Sequence, residues 1–91
     1  MIYIAKAIKM KDYCYHSHDL MEIDSIMLND NKLYKKANLY DYLIEHPGSI
    51  KVGFYSGPDM IPAKSAKGEK YVKSKPNLTL VDNLFSLPKI M

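Results

Sequence analysis

Polar and hydrophobic residues alternate along much of the chain, and a period of two residues predicts β-strands. The first predicted strand covers residues 2–10 and a second, half-exposed strand covers residues 20–28, with a loop at 11–17 between them. The polar run at 29–31 predicts a tight turn into a short third strand at 32–36, because Asn and Asp tolerate positive φ. On one side the first strand collects Ile2, Ile4, Ile8 and Met10, and in the second Met21, Ile23 and Met27 alternate with Glu22, Asp24 and Ile26.

A change to helical periodicity follows the third strand. Asn38 is typical of a helix N-cap, with Asp41 as an acidic residue at the third position. Pro47 and Gly48 end the predicted helix. One stripe of this helix consists of Leu39, Tyr42, Leu43 and His46.

The last part of the chain predicts one more strand and then a Lys-rich hairpin. Residues 50–55 resume strand character, with Ile50, Val52 and Phe54 on one side, and the hairpin spans residues 61–75 with its turn at Lys67 and Gly68. Its second arm places Tyr71, Lys73 and Lys75 on one face and Val72 and Ser74 on the other. The order β-β-β-α-β-β-β predicts an α+β fold, in which one helix packs on a mostly antiparallel sheet of about five to six short strands.

Length and composition predict one domain over residues 1–91, with 47% hydrophobic and 25% charged residues. A chain of this length buries only about 60–65% of the surface that its unfolded form exposes, so we expect a homo-oligomer that adds to stability. Lys6 and Lys9 interrupt the first apolar stretch, and no run approaches the ~20 apolar residues of a membrane span. We therefore expect a cytoplasmic protein that has no membrane partner, and the single cysteine, Cys14, agrees with a reducing compartment.

The charges are all of one cationic type and are unevenly placed. All 13 positive side chains are lysines, so the chain cannot make bidentate guanidinium contacts with guanine, and sequence-specific DNA recognition is disfavoured. Residues 12–31 hold five acidic side chains and no lysine, whereas residues 61–91 hold six lysines and two acidic side chains. This asymmetry favours an anionic ligand at the C-terminal end or head-to-tail pairing of two copies, with ordinary solvated faces as the alternative.

A family resemblance is carried by two segments, Gly68-Glu69-Lys70-Tyr71-Val72-Lys73-Ser74 and Val81-Asp82-Asn83-Leu84-Phe85-Ser86-Leu87-Pro88. They resemble the small bacterial and phage proteins grouped as domain of unknown function 3892. The resemblance extends more weakly to the first strand, to His18 and to the helix that ends at Gly48. Lys73 and Ser74 stand where that family usually has Arg and Thr. The resemblance implies the fold and a bacterial or phage origin, and it implies no established activity.

The tail residues Asp82 and Asn83 have two interpretations. In the first, Asp82 accepts backbone N–H bonds and Asn83 ties a loop, while Leu84 and Leu87 pack onto the sheet, so that the tail secures the fold. In the second, Asp82 and Asn83 contact a ligand. Both interpretations stay open on sequence alone, with the structural one favoured.

Cys14, His16 and His18 form the best candidate for metal binding. In an extended segment, residues two apart project to the same side, so these three ligands would converge, with Asp12 or Asp19 as a fourth. The alternative is an ordinary surface loop, because such closely spaced ligands usually need another segment to complete a tetrahedron. We keep metal binding as a second alternative function.

Catalysis is disfavoured by the motifs. Cys14 lies beside histidines in one loop, where an attack geometry is seldom held, and the serines lack a nucleophile elbow. Residues 53–58 lack the lysine and hydroxyl of a phosphate loop. We therefore expect a protein that is not an enzyme and uses no cofactor.

The hairpin is the most favoured ligand surface, because Tyr71 with Lys73 and Lys75 is the arrangement that single-strand and nucleotide binders use. Tyrosine is also a strong strand former, which is the structural alternative. The leading hypothesis is a non-enzymatic binding protein for nucleic acid or a nucleotide-derived ligand, which in a phage could sequester a host immune signal. The alternative is a protein-interaction module that inhibits or adapts a host protein. The predicted ligand-binding residues are Lys64, Lys67, Lys70, Tyr71, Lys73, Lys75, Asp82 and Asn83.

Overall fold

Over the residues that the structure describes, the fold consists of seven strands, one α-helix and two short 3₁₀ helices. A computed structural model describes residues 2–17, 19–75 and 83–90. The 3₁₀ helices are Leu20–Glu22 and Asn83–Ser86. The other elements are β1 Tyr3–Met10, β2 Ile23–Leu28, β3 Leu33–Lys35, α1 Lys36–Glu45, β4 Ile50–Val52, β5 Met60–Lys64, β6 Lys70–Ser74 and β7 Lys89–Ile90. The predicted α+β class with a single packed helix is confirmed for the described residues.

The main sheet is mixed, and it is separate from the hairpin. Its order is β3-β2-β1-β4, and β7 also pairs with β1. β1 pairs antiparallel with β2 on one edge, and its other edge is shared by two parallel partners, β4 at Tyr3–Ala5 and β7 at Ile8–Lys9. β5 and β6 form their own two-stranded sheet. Parallel pairing requires a long connection, and β4 and β7 both follow β1 after several intervening elements.

Two irregularities in the β1–β2 pairing change which residues face the core. The register passes from Ala5↔Leu28 to Ala7↔Met27, so Lys6 is an extra residue in β1, and it passes from Lys9↔Ser25 to Met10↔Ile23, so Asp24 is extra in β2. Each bulge reverses the alternation of faces beyond it. The predicted faces are therefore wrong in part: Ile2 is 40% exposed, Ile4 is only partly buried, and Ile26 lies in the core.

The helix and the strand after it also differ from their predicted bounds. α1 begins at Lys36, two residues before the predicted cap Asn38, and the N-cap position is Lys35 without a side-chain hydrogen bond. β4 ends at Val52 because Gly53 has a φ of 88°, and Phe54 is 60% exposed rather than packed beside Ile50. Of the predicted helix stripe, Leu39 and Leu43 are buried, whereas Tyr42 and His46 are exposed.

The core lies between the main sheet, α1 and the hairpin. The hairpin contributes Met60 and Val72, and the second 3₁₀ helix contributes Leu84. Other core residues include Ile8, Ile23, Ile26, Leu39, Leu43 and Ile50. Within the described ranges, none of the helices has the length and apolar character needed to cross a bilayer.

Candidate functional site

The hairpin has two faces, and its register assigns every residue to one of them. Cross-strand partners are Met60↔Ser74, Ile61↔Lys73, Pro62↔Val72, Ala63↔Tyr71 and Lys64↔Lys70. Directly paired residues share a face in an antiparallel ribbon. Met60 and Val72 are buried in the core, so their face is the inner one. The predicted alternation in the second arm is confirmed, and so is the turn, where Gly68 has a φ of 85°.

Lys64 and Lys70 end on the inner face, against the helix. Their ammonium nitrogens lie 5.8 Å and 5.4 Å from the ring centroid of Tyr40, within cation–π range. Lys70 also donates a hydrogen bond of 2.8 Å to Asp41, and this bond raises the pKa of Lys70. These two predicted ligand-binding lysines therefore fasten the hairpin to α1.

The outer face of the hairpin carries Tyr71, Lys73, Ile61 and Ala63, all partly exposed. Lys75 continues the same side and is exposed. Within residues 2–17, 19–75 and 83–90, no carboxylate pairs with Lys73 or Lys75. This face thus presents an aromatic ring and two ammonium groups that are not used by the described part of the fold. We name Tyr71, Lys73 and Lys75 the outer row.

The hairpin turn is a compact polar structure. Ser65 Oγ accepts from the amides of Lys67 and Glu69, at 3.3 Å and 3.1 Å. The carboxylate of Glu69 accepts from Lys36 at 2.5 Å and lies 3.6 Å from Lys11, and these cations lower the pKa of Glu69. Lys67 is exposed in the turn, between the paired segments Met60–Lys64 and Lys70–Ser74.

The tail packs as a structural element where it is described. The amide of Asn83 donates to Ser74 Oγ at 3.2 Å, Leu84 is fully buried, and Leu87 packs against the core. Asp82 lies outside the described residues, so its predicted cap stays a prediction. Leu84 and Leu87 pack inward, as expected if the tail secures the fold.

The 11–17 loop is organised by a carboxylate. Glu22 accepts from the Cys14 thiol at 2.9 Å and from Ser17 Oγ at 2.5 Å. The hydrogen bond to Glu22 raises the pKa of Cys14, and the same bond is the main reason that the pKa of Glu22 is lowered. A raised thiol pKa keeps Cys14 protonated, which disfavours both nucleophilic attack and metal ligation.

Among the described residues, the predicted metal ligands do not converge. His16 stacks edge-on against Tyr15, with ring centroids 5.1 Å apart, while Cys14 turns to Glu22. His18 lies outside the described residues. In the described ranges, no group of three or more His, Cys, Asp or Glu side chains is placed to hold a metal ion.

One further cluster was not predicted from sequence. Lys89 donates to the carbonyl of Tyr15 at 2.7 Å, and its ammonium group lies 5.3 Å from the Tyr15 ring. Because 74 positions separate these residues, no local spacing could have signalled the contact. It forms only when β7 pairs with β1.

Comparison with known proteins identifies one family. Its model matches residues 6–88 and is described as protein of unknown function (DUF3892). No curated protein and no solved structure matches the chain. The match extends over β1 to the tail and thus includes both the hairpin and the loop.

Proposed function

The chain belongs to DUF3892, a family of proteins of unknown function, and we propose that it is a non-enzymatic binding protein for single-stranded nucleic acid or a nucleotide-derived anion. The ligand lies on the outer row of the hairpin. Family membership brings no activity with it, so the proposal rests on the geometry of Tyr71, Lys73 and Lys75.

The observation that carries the proposal is the separation of the hairpin lysines onto two faces. The inner pair, Lys64 and Lys70, is engaged with Tyr40 and Asp41. The outer row has no such partners among the described residues, so its ammonium groups are available to phosphates. Every base has a ring face that stacks on tyrosine, and lysine neutralises the backbone.

The outer row is short and open. Strand residues rise by about 3.3 Å each, so Tyr71 to Lys75 spans roughly 13 Å. A ribbon surface of that length contacts a few nucleotides, and a second copy of the chain would extend it. A homo-oligomer is therefore part of the proposal. Sequestration of a nucleotide signal is a role that fits such a ligand, so cyclic dinucleotides belong among the probes.

The alternative function, a protein-interaction module built on the acidic 12–31 region, is less favoured by the contacts of that region. Asp24 is bound by Lys35 at 3.0 Å and Asp30 accepts from Tyr34 at 2.5 Å. Glu22 is occupied by Cys14 and Ser17. These carboxylates stabilise the loop and the β2–β3 hairpin, so fewer charges remain for a partner.

Fluorescence anisotropy with a labelled oligothymidylate, and calorimetry with cyclic dinucleotides, test the proposal. We expect Tyr71→Ala to weaken binding of the oligonucleotide by roughly 5- to 150-fold, the range for loss of one stacked base. Lys73→Gln should weaken binding and reduce the slope of log K against log salt concentration by about 1. The matched control is Lys64→Gln, which removes the same charge from the inner face.

Lys64→Gln should leave the affinity and the salt slope unchanged. Equal losses of affinity in Lys64→Gln and Lys73→Gln would contradict the assignment of the ligand to the outer row, because they would mean that binding follows net charge alone. Absence of binding to both probes, together with a stoichiometric protein captured from lysate, would favour the protein-interaction alternative.

A further inference from the structure

A pocket opens between α1 and the main sheet, beside the first residue of β1. Its volume is about 200 Å³. The described residues that line it are all uncharged, and half of them are tyrosines: Tyr3, Leu28, Tyr34, Asn38, Leu39 and Tyr42. We name it the tyrosine pocket. None of these lining residues belongs to the Lys-rich hairpin, so the pocket is separate from the outer row.

The walls of the pocket are the core side of the sheet and one side of the helix. Tyr34 is paired with the buried Ile26 in the β2–β3 register. Tyr3 is paired with the buried Ile50 in the β1–β4 register. Directly paired residues share a face of a sheet, so both tyrosines lie on the side that faces α1. The opposite wall is α1, which contributes Asn38, Leu39 and Tyr42.

Contacts around the pocket hold the three rings in place. The hydroxyl of Tyr34 donates a hydrogen bond of 2.5 Å to Asp30. The ring of Tyr42 lies against the ring of His46, with centroids 4.7 Å apart. Tyr3 and Tyr42 meet edge-on, with centroids 6.2 Å apart and ring planes at 77°. Two walls of the pocket are therefore aromatic rings that stand nearly at a right angle.

The charges around the pocket favour a cation. Lys64 and Lys70 both lie over Tyr40, but in the described ranges no lysine lies over a ring of the tyrosine pocket. The hydrogen bond from Tyr34 lowers the pKa of Asp30, so a carboxylate stays ionised beside this wall at neutral pH. The face of an aromatic ring carries negative potential and attracts a cation within about 6 Å of its centroid.

Size and lining select the kind of cation. The lining holds no carboxylate to replace the water around an N–H cation such as an ammonium ion. A trimethylammonium group donates no N–H bonds, and its methyl groups suit a wall of rings and of Leu28 and Leu39. The volume of about 200 Å³ falls below the range of about 300–1,000 Å³ for drug-sized ligands, which favours a small ligand.

We propose that the tyrosine pocket binds a small quaternary ammonium ion such as choline, with its methyl groups against Tyr3, Tyr34 and Tyr42. Aromatic cages recognise this group through cation–π attraction. The carboxamide of Asn38 is the lining group that pairs with the hydroxyl of the ligand. This site is independent of the outer row, which takes an anion.

Amide chemical shifts of the isotope-labelled protein during titration with choline, at constant chloride concentration, test the proposal. We expect saturable shifts at residues 3, 28, 34 and 38–42. The neutral probe 3,3-dimethyl-1-butanol has the shape of choline with carbon in place of nitrogen, and it should bind about tenfold more weakly or worse. Equal affinity for the two probes would overturn the proposal, as would the absence of saturable shifts. A peptide that carries trimethyl-lysine presents the same group on a protein, and tighter binding of that peptide than of choline would overturn the assignment to a small molecule.

Variants at one ring separate cation–π attraction from simple packing. Tyr42→Leu should weaken choline binding by roughly 5- to 30-fold, whereas Tyr42→Phe keeps the ring and should stay within about twofold. The matched control is Tyr55→Leu, at an exposed tyrosine outside the pocket, which should leave the affinity unchanged. Unchanged choline affinity in a folded Tyr42→Leu protein would contradict the assignment, and the amide spectrum verifies the fold. Lys73→Gln should leave choline binding unchanged although it weakens the oligonucleotide, so the two sites are tested separately.

Discussion

The hairpin and the 11–17 loop both present tyrosine and lysine side chains, but different forces decide which side chains are available. In the hairpin, strand alternation places Lys64 and Lys70 on Tyr40 while the outer row faces away. In the loop, hydrogen bonds to Glu22 and the positive φ of Tyr13 set the arrangement. A strand thus places alternate residues on opposite faces, whereas the side chains that a loop exposes depend on a few individual contacts.

The largest expected effect distinguishes the two faces of the hairpin. Met60 is fully buried and Ile61, its neighbour, is only partly buried. Met60→Ala should lower the free energy of unfolding by about 2–5 kcal/mol, because it leaves a cavity in the core. Ile61→Ala should lower it by less than about 1.5 kcal/mol, since part of that side chain is already in water. Urea denaturation measures both, and equal losses would contradict the assignment of inner and outer faces.

A smaller effect on stability is expected at the residues with positive φ in the two regions. Gly68 in the hairpin turn has a φ of 85° and open space around it, so Gly68→Ala meets only backbone strain and should destabilise by about 1–2 kcal/mol. Tyr13 has a φ of 66° in the loop and is not glycine. Tyr13→Asn should therefore stabilise by up to about 1 kcal/mol in thermal or urea unfolding. A clear loss of stability in Tyr13→Asn would show that the ring has a packing role.

The smallest effect concerns the carboxylate that organises the loop. Its pKa is lowered on folding, so Glu22 stabilises the protein above its unfolded pKa of about 4.5, and this stability is lost as the pH falls through the folded pKa. Glu22→Gln should flatten the dependence of stability on pH on the acid side. Glu45→Gln, at the exposed end of α1, is the matched control and should keep the dependence.

The same substitution has a chemical readout at Cys14. The hydrogen bond to Glu22 raises the pKa of the Cys14 thiol above its ordinary value, so alkylation by iodoacetamide near pH 8.5 should be faster in Glu22→Gln than in the unchanged protein. An unchanged alkylation rate would contradict the hydrogen bond between Cys14 and Glu22.

Local patterns predicted the hairpin well because its information is local. Period-two alternation placed Val72 and Ser74 inward, Gly68 marked the turn, and Leu84 proved to be a core residue of the tail. Prediction failed at Lys6 and Asp24, because a bulge depends on the register of the partner strand and not on the residue itself.

The candidate sites divide in the same way. The outer row could be predicted from Tyr71, Lys73 and Lys75, since residues two apart in a strand share a face. The different role of Lys64 and Lys70 could not, because it requires Tyr40 of α1 to lie beneath them. The contact between Lys89 and Tyr15 could not be predicted either, since Lys89 reaches Tyr15 only through the pairing of β7 with β1.

The sequence by itself determined the α+β class, the order of the helix and the first six strands, the alternation within the hairpin and the family. These follow from propensities and spacings within about ten residues. Tertiary structure alone decided that the main sheet is mixed, that two bulges shift its faces, and that the lysines separate into fastening and exposed groups. The physical reason is that pairing register, burial and charge contacts depend on residues far apart in the chain, whose positions are set only when the core packs.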